Sequence, residues 1–434
     1  MKALVIGAAR SGIAVSKLLI TKGYEVYLTD SKTIDEKEEL IALGIKVYDN
    51  GHPDLLKEID YDFIVKNPGI PYHVPFVKYF KDAGYEILNE IEVASRYVNY
   101  EYGAITGTNG KTTITTLLST FLKTICANSE ACGNIGLPLS EVVMKHQAEK
   151  LKVAIEVAAF QLLGMPKFHP HVAVITNLTP DHIDYFKDLD KYYKAKTLIY
   201  QNMDENDYFL FNMDDENILK YVDRDSIKCQ AITYSLNRQD VDLYIKDHYV
   251  YLHDEILFDI KDLKLVGMHN VQNAMVAACM AYKMGVSIDN IQEVIRKFKG
   301  VEHRIEYVDT KNGISFYNDS KGTNPDSTIV ALKAFDKPVC LLAGGYDKKT
   351  GFDAVKPYLD RIKMMYVFGE TKDELKTLYP DAQVFDNLDE ALFKAYEDAK
   401  EGDVILLSPM CASWDQFNNY EERGEHFKDL VKEL

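Results

Sequence analysis

The sequence predicts an α/β protein built from successive segments of parallel sheet, and three observations carry that expectation. Short β-branched and aliphatic runs alternate along the whole chain with helix-length stretches, the pattern of strands joined by crossover helices. Glycine-containing turns follow several of these runs directly, as GAARSG does after ALVI and GTNG does after AIT. The length, 434 residues, exceeds what one hydrophobic core usually holds, so two or three domains are expected.

Taken in order, the runs 3–7, 26–30 and 63–67 read as strands of a small parallel sheet that ends near Ile91. A second unit starts with the run 102–107, enters a helix at about Lys111 and continues through runs 153–157 and 172–177. Between about 240 and 265 the alternation DLYIKDHYVYLHDEILFDI predicts a β-hairpin or meander appended to that sheet. Helices are expected at 270–284 and 288–298, before the polar turn at Gly300. The third segment carries runs 314–318, 339–345, 365–369 and 404–408 and closes on an amphipathic helix. The expected domains are therefore 1–92, 93–299 and 300–434.

Composition narrows the class. At 47% hydrophobic and 27% charged, with no run apolar for the length of a bilayer, the chain reads as water-soluble. The opening MKALVIGAAR is broken by Arg10, Lys17 and Lys22 and lacks a small-residue cleavage site, so it reads as a first strand and helix rather than a leader. Six scattered cysteines without a C-x-x-C pair suit buried thiols in a reducing cytosol. A formal charge of −17 disfavours nucleic acid and anionic lipid as partners. Anionic substrates would then need cations concentrated locally, in the Gly-rich and polar turns.

The strongest such turn is ITGTNGKTT, 105–113, between a predicted strand and a predicted helix. Gly107 and Gly110 let backbone amides face phosphate oxygens, the helix N-terminus adds partial positive charge, and Lys111 supplies a full one. Thr112 is placed to ligate Mg²⁺. In the usual G-x-x-x-x-G-K spelling the first glycine would fall on Ile105, so a tighter loop is expected. GAARSG, Gly7 to Gly12, resembles a dinucleotide fingerprint with Ala9 in place of the middle glycine; with Asp30 it suits NAD or, better, a uridine-type or other nucleotide. Glu156, ending a strand in AIEVAAFQL, and His182 in NLTPDHIDY are candidate metal ligands. Lys196, one of three lysines in KYYKAK, reads from the residues alone as part of a solvated helix face. In the third segment Arg304, Asp319, Lys321 and Lys348 sit in turns at strand ends, where open α/β sheets assemble sites.

The ordered set GTNGKTT, AIEVAAFQL, NLTPDHIDY, KAKTLIY, GMHNVQNA, HRIEYV, NDSKGTNP and SPMCASWDQF resembles the Mur ligase family over the full length, and NDSKGTNP and CASWDQF favour its D-glutamate-adding branch. The resemblance implies three domains: a Rossmann-like N-terminal domain for a UDP-sugar, a central P-loop ATPase-type α/β domain, and a Rossmann-like C-terminal domain for the amino acid. It implies a cytoplasmic, monomeric, ATP-dependent ligase of peptidoglycan precursor synthesis that acts on UDP-N-acetylmuramoyl-L-alanine and D-glutamate. Ser11, Gly12, Asp30, Ser31, Gly69 and Asn134 match UDP-sugar positions. Gly107, Thr108, Asn109, Gly110, Lys111, Thr112 and Thr113 match the ATP loop, Asn270 and Asn273 the adenine side, and Arg304, Asp319 and Lys321 the ribose and phosphates. By the same resemblance two Mg²⁺ ions are held by Thr112, Glu156, His182 and a carbamylated Lys196, with Lys111, His182 and Lys196 catalytic. Thr323, Lys348, Ser413, Trp414 and Tyr420 match the D-glutamate site. Gly322 stands where the family often has Ala, and Tyr420 where it often has Phe.

Overall fold

The β-branched runs fall into three sheets in the computed structural model, which describes residues 1–179, 186, 188–346 and 351–434. The first sheet contains β1 (Lys2–Ile6), β2 (Glu25–Thr29), β3 (Lys46–Tyr48), β4 (Phe63–Lys66) and β5 (Ile87–Leu88). Its order is β3-β2-β1-β4-β5, parallel throughout. The strand order reverses between β1 and β4, so the loops after these two strands flank the crevice where such sheets bind ligands. The loop after β1 leads into α1 (Arg10–Thr21).

The second sheet runs β14-β13-β12-β11-β10-β9-β6-β8-β7. Its parallel part comprises β6 (Glu101–Thr106), β7 (Ala131–Gly133), β8 (Lys152–Glu156), β9 (Val172–Ile175), β10 (Tyr208–Asn212) and β11 (Gln230–Tyr234). β12 (Leu243–Lys246), β13 (Tyr249–Leu252) and β14 (Glu255–Asp259) form the antiparallel meander that the alternating pattern predicts. The tight turns between them take left-handed backbone at Asp247 and His253. β10 and β11, which the sequence reading passes over, extend the parallel sheet.

The third sheet contains β15 (Glu306–Lys311), β16 (Ile314–Asn318), β17 (Val339–Gly344), β18 (Ile362–Phe368), β19 (Gln383–Val384) and β20 (Val404–Leu407), in the order β15-β16-β20-β17-β18-β19. Only the edge pair β15–β16 is antiparallel. Asn312 and Gly313 both have positive φ in its connection, as a two-residue hairpin turn requires. The expected helices appear as Met268–Lys283, Ile288–Lys297 and the terminal Tyr420–Glu433.

The chain divides into two compact units, 1–259 with 273–292, and 260–272 with 293–434. In the first, Leu18 of α1, Ile91 of α4 (Glu90–Ser95), Val142 and Val143 of α6 (Leu139–His146) and Ile155 of β8 share one apolar core. The segment around Ile91 is therefore buried between two sheets. Ser140 N donates to the buried Glu90 carboxyl at 2.5 Å, so Glu90 caps the N-terminus of α6. The second unit has its own apolar layers on both faces of the third sheet. Among the described residues no helix is long and apolar enough to cross a membrane, and the six cysteines are free thiols.

Candidate active site at a phosphate-binding loop

β6 ends at Thr106 and α5 (Lys111–Leu122) follows with only the four residues 107–110 between them, so the loop is the tighter variant that the glycine spacing predicts. Its two glycines are demanded by packing as well as by backbone conformation. Gly107 has φ 136°, and a Cβ there would lie 1.9 Å from Thr176 Oγ1 and 2.9 Å from Thr176 N. Gly110 caps α5 at φ 84°, and a Cβ there would meet Asn273 Oδ1 at 2.4 Å. The loop is fixed from below by Asn177, whose backbone carbonyl accepts from Thr108 N at 3.0 Å and whose Oδ1 accepts from Asn109 N at 2.9 Å. Thr176 Oγ1 donates to Asn109 O at 2.6 Å, and Thr108 Oγ1 donates to Thr179 O at 3.0 Å. The sequence reading does not single out Thr176 and Asn177, although they are the last two residues of the run 172–177 and their polar side chains there are a usable signal.

Lys111 Nζ donates to the loop carbonyls of Gly107 (2.9 Å) and Thr108 (2.7 Å). At the second residue of α5, Thr112 Oγ1 donates to Glu156 Oε2 at 2.9 Å, and Asn134 Nδ2 donates to Glu156 Oε1 at 2.8 Å. Glu156 is only 2% exposed and ends β8, which pairs with β6. A buried carboxylate beside a hydroxyl at a helix N-terminus is an oxygen-donor set of the kind Mg²⁺ takes. Asn134, expected with the UDP-sugar residues, thus lies against this carboxylate. Thr113 is buried in α5.

Lys196 departs from the solvated-face reading. Lys191 and Lys194 are exposed, but Lys196 is 1% exposed and its Nζ donates to Gly107 O at 2.7 Å while lying over the Tyr192 ring. Amphipathic spacing on the helix Leu189–Thr197 turns this lysine inward with Tyr192 and Tyr193. His182 lies outside the described residues.

At the crevice of the first sheet, Asp30 accepts from Ala8 N (2.7 Å) and Lys32 N (2.9 Å), tying the turn after β1 to the end of β2. Asn67, in the loop after β4, ties that loop to the first turn of α1, its Nδ2 donating to Ser11 Oγ at 3.4 Å while its Oδ1 accepts from Gly69 N at 3.1 Å. A Cβ at Gly12 would sit 1.9 Å from Gly7 O, so close approach of α1 to the β1 loop accounts for that glycine. Ser31 is exposed at the rim. A cleft of about 730 Å³ opens alongside, between Ala8, Arg10, Thr33, Asp35 and Glu141.

In the second unit Asp319 is buried, accepting from Ile305 N (3.2 Å) and Ser408 Oγ (2.7 Å). Burial pushes its carboxyl up to about 7, against the opposing effects of the Ser408 bond and the Arg304 charge. Ile305 has φ 44°, a costly conformation for a β-branched residue, held beside His303 at φ 61°. Lys321 stands over the Tyr420 ring at 5.3 Å, and its backbone N–H donates to His303 O at 3.0 Å. Thr323 N donates to Lys321 O at 2.9 Å in the same turn. A Cβ at Gly322 would lie 2.4 Å from Asp319 Oδ2 and 2.9 Å from Asp319 O and Ser408 Oγ, so in this chain an alanine there would require both side chain and backbone to shift.

Ser413 is buried at the start of the next loop, whereas Trp414 is 63% exposed against Tyr346, with ring centroids 5.5 Å apart. Lys348 lies outside the described residues. Asn270 and Asn273 are both buried on the helix Met268–Lys283; Asn270 Nδ2 donates to Val266 O at 2.8 Å, and Asn273 faces Gly110.

The sequence reading missed Arg423. This fully buried guanidinium donates to Ser320 Oγ and O, Ala412 O and Cys411 O at 2.9–3.2 Å, clamping the DSKGT turn to the CASW loop. Burial lowers it to about 10. In sequence it looks like one more charge in a charged terminal helix.

Residues 105–281 match the Mur ligase middle domain and residues 303–411 the Mur ligase glutamate ligase domain. The chain is 39% identical over 444 residues to the UDP-N-acetylmuramoylalanine--D-glutamate ligase of Lactiplantibacillus plantarum, covering 100% of this chain and 96% of that one. To the enzyme of the same name from Thermoanaerobacter sp. (strain X514) it is 40% identical over 451 residues, covering 100% and 98%. Among solved structures its fold is similar to MurF from Acinetobacter baumannii, at TM-score 0.61 and 16% identity, covering 99% of this chain and 93% of that one. It is also similar to UDP-N-acetylmuramate-alanine ligase MurC from Thermotoga maritima, at TM-score 0.56 and 19% identity, covering 100% and 99%. With both domain models matched and relatives this similar along the whole chain, the protein belongs to the Mur ligase family.

Proposed function

We propose that the chain is an ATP-dependent, amide-forming ligase that joins D-glutamate to UDP-N-acetylmuramoyl-L-alanine through an acyl phosphate, acting as a cytoplasmic monomer. The observation that carries this reading is the glycine cradle of 107–110 beside Lys111 and the Thr112–Glu156 pair, in a chain whose 39–40% identical full-length relatives are named for that reaction. The division of labour would follow 1–92 for the UDP-sugar, 93–299 for ATP and 300–434 for the amino acid.

A carboxylate is a poor acyl donor, so the L-alanine carboxylate must first accept a phosphoryl group. The amides of the 107–110 loop and the N-terminus of α5 would cradle the ATP phosphates. Lys111 Nζ would exchange its two loop carbonyls for phosphate oxygens. Thr112 and Glu156 would hold one Mg²⁺, and His182 with carbamylated Lys196 a second; the bound metal supplies neutralisation of the phosphoryl oxygens. The burial of Lys196, with its Nζ 2.7 Å from Gly107 O, supports a role for this side chain at the loop. Asn270 and Asn273 would take the adenine side and Arg304, Asp319 and Lys321 the ribose and phosphates. Thr323, Lys348, Ser413, Trp414 and Tyr420 would orient D-glutamate so that its amine attacks the acyl carbon and phosphate leaves. Ser11, Gly12, Asp30, Ser31, Gly69 and Asn134 would hold the UDP-sugar.

Phosphate release from ATP, Mg²⁺ and UDP-N-acetylmuramoyl-L-alanine, with and without D-glutamate, tests the reading when the product mass is also measured. Release that depends on D-glutamate and gives the UDP-muramoyl dipeptide is expected, and Lys111→Ala should lower it by at least about a thousandfold. Release driven instead by L-lysine, meso-diaminopimelate or L-glutamate would move the chain to another acceptor. No release with any acceptor would overturn the ligase reading.

A further inference from the structure

The loops that enter β9 and β10 carry chemistry that the ligase reading does not use. His169 and His171 precede β9, and Asp204 and Asp207 precede its parallel neighbour β10, where Tyr208 pairs with Val172. Parallel pairing therefore brings an H-x-H and a D-x-x-D sequence to one edge of the sheet. His169 Nε2 meets Asp207 Oδ2 at 2.5 Å, and His171 Nδ1 meets Asp207 Oδ1 at 3.2 Å. One donor atom each from His169, Asp204 and Asp207 lies within 4.8 Å of the other two.

The backbone under these side chains is pinned. His171 N donates to Tyr102 O at 3.0 Å, Tyr208 N to His171 O at 2.9 Å, and Gln230 N to Asp207 O at 2.9 Å. Asp207 is nearly buried, whereas the His169 side chain is 45% exposed, so the cluster has a rigid floor and an open entrance. A second cluster, Glu302, His303 and Glu425, is already filled by a cation, since Lys428 Nζ lies 2.7 Å from Glu302 and 2.6 Å from Glu425. Among the described residues neither Asp204 nor Asp207 pairs with a lysine or arginine.

We propose that His169, Asp204 and Asp207 form a binding site for a divalent transition-metal ion of the Zn²⁺ type, with His171 holding the second oxygen of Asp207. Mixed imidazole and carboxylate donors suit Zn²⁺, Ni²⁺ or Co²⁺, whereas Mg²⁺ prefers oxygen alone. The ion replaces the proton between His169 and Asp207, and water completes its coordination. The site ties the entrances of β9 and β10 together. It stands at the opposite end of β9 from the phosphate loop, because the strand rises roughly 16 Å from His171 to Thr176.

The test uses the full chain, stripped with a chelator and held in excess Mg²⁺ so that oxygen-only sites are filled. Titration calorimetry with ZnCl₂ should give one equivalent per chain, and zinc should raise the unfolding temperature. His169→Ala should weaken zinc binding by at least about tenfold. The double variant His169→Ala/His171→Ala should abolish both the equivalent and the thermal shift, with Mg²⁺-dependent ligase turnover unchanged. Zinc binding of equal stoichiometry and affinity in the double variant, or none in the parent chain, would overturn the proposal.

Discussion

At the scale of single residues, the site depends on groups whose surroundings leave little latitude. Gly107→Ala should be among the most damaging small changes in the chain. The added Cβ meets Thr176 Oγ1 and backbone N, and the positive φ is itself costly for alanine. The expected outcome is loss of ATP-dependent turnover by at least about a hundredfold, with KM for ATP raised, since the loop must move to relieve the contact. Glu90 gives a different test. Burial holds its carboxyl up at about 7, above the ordinary 4.5, so the native state binds more protons than the unfolded chain between those values. Stability from this group is therefore fully present below pH 4.5 and is lost as pH rises through 7, by about 3 kcal/mol in all. Glu90→Gln should flatten that part of the denaturant-midpoint against pH curve, and an unchanged slope would refute the assignment.

At the scale of elements, the β6–loop–α5 unit was legible because its signal is local: apolar run, two glycines at fixed spacing, lysine, threonines. The β12–β14 meander was legible for the same reason, through strict alternation. β10 and β11 were not picked out, although YFLFN and QAITY are ordinary strand sequences. Lys196 is not legible as a buried residue, because three lysines in six residues look alike until the helix is seated and one face turns inward. Arg423 was invisible for a related cause, since its four acceptors come from two loops remote in sequence. Arg423→Ala should destabilise the second unit by about 3–5 kcal/mol, leaving buried carbonyls unpaired. Arg423→Lys should recover only part of this, because one ammonium cannot reproduce the guanidinium fork.

At the scale of the whole molecule, two compact units with separate cores should unfold in two calorimetric transitions. Arg423→Ala should lower only the transition of the unit containing 293–434, and Glu90→Gln should shift only the other; a single transition that moves with both variants would count against independent units. By itself the sequence determined the α/β class, the position of the glycine loop between β6 and α5 and the family, because alternation, glycine spacing and motif order are properties of neighbouring residues. Only the tertiary structure decided that Asn134 faces Glu156 and that Lys196 is buried at Gly107. It also gathered His169, His171, Asp204 and Asp207 at one sheet edge. Those facts depend on which strands pair and which helix face turns inward, and both are settled by burial of apolar surface across long sequence separations rather than by any local pattern.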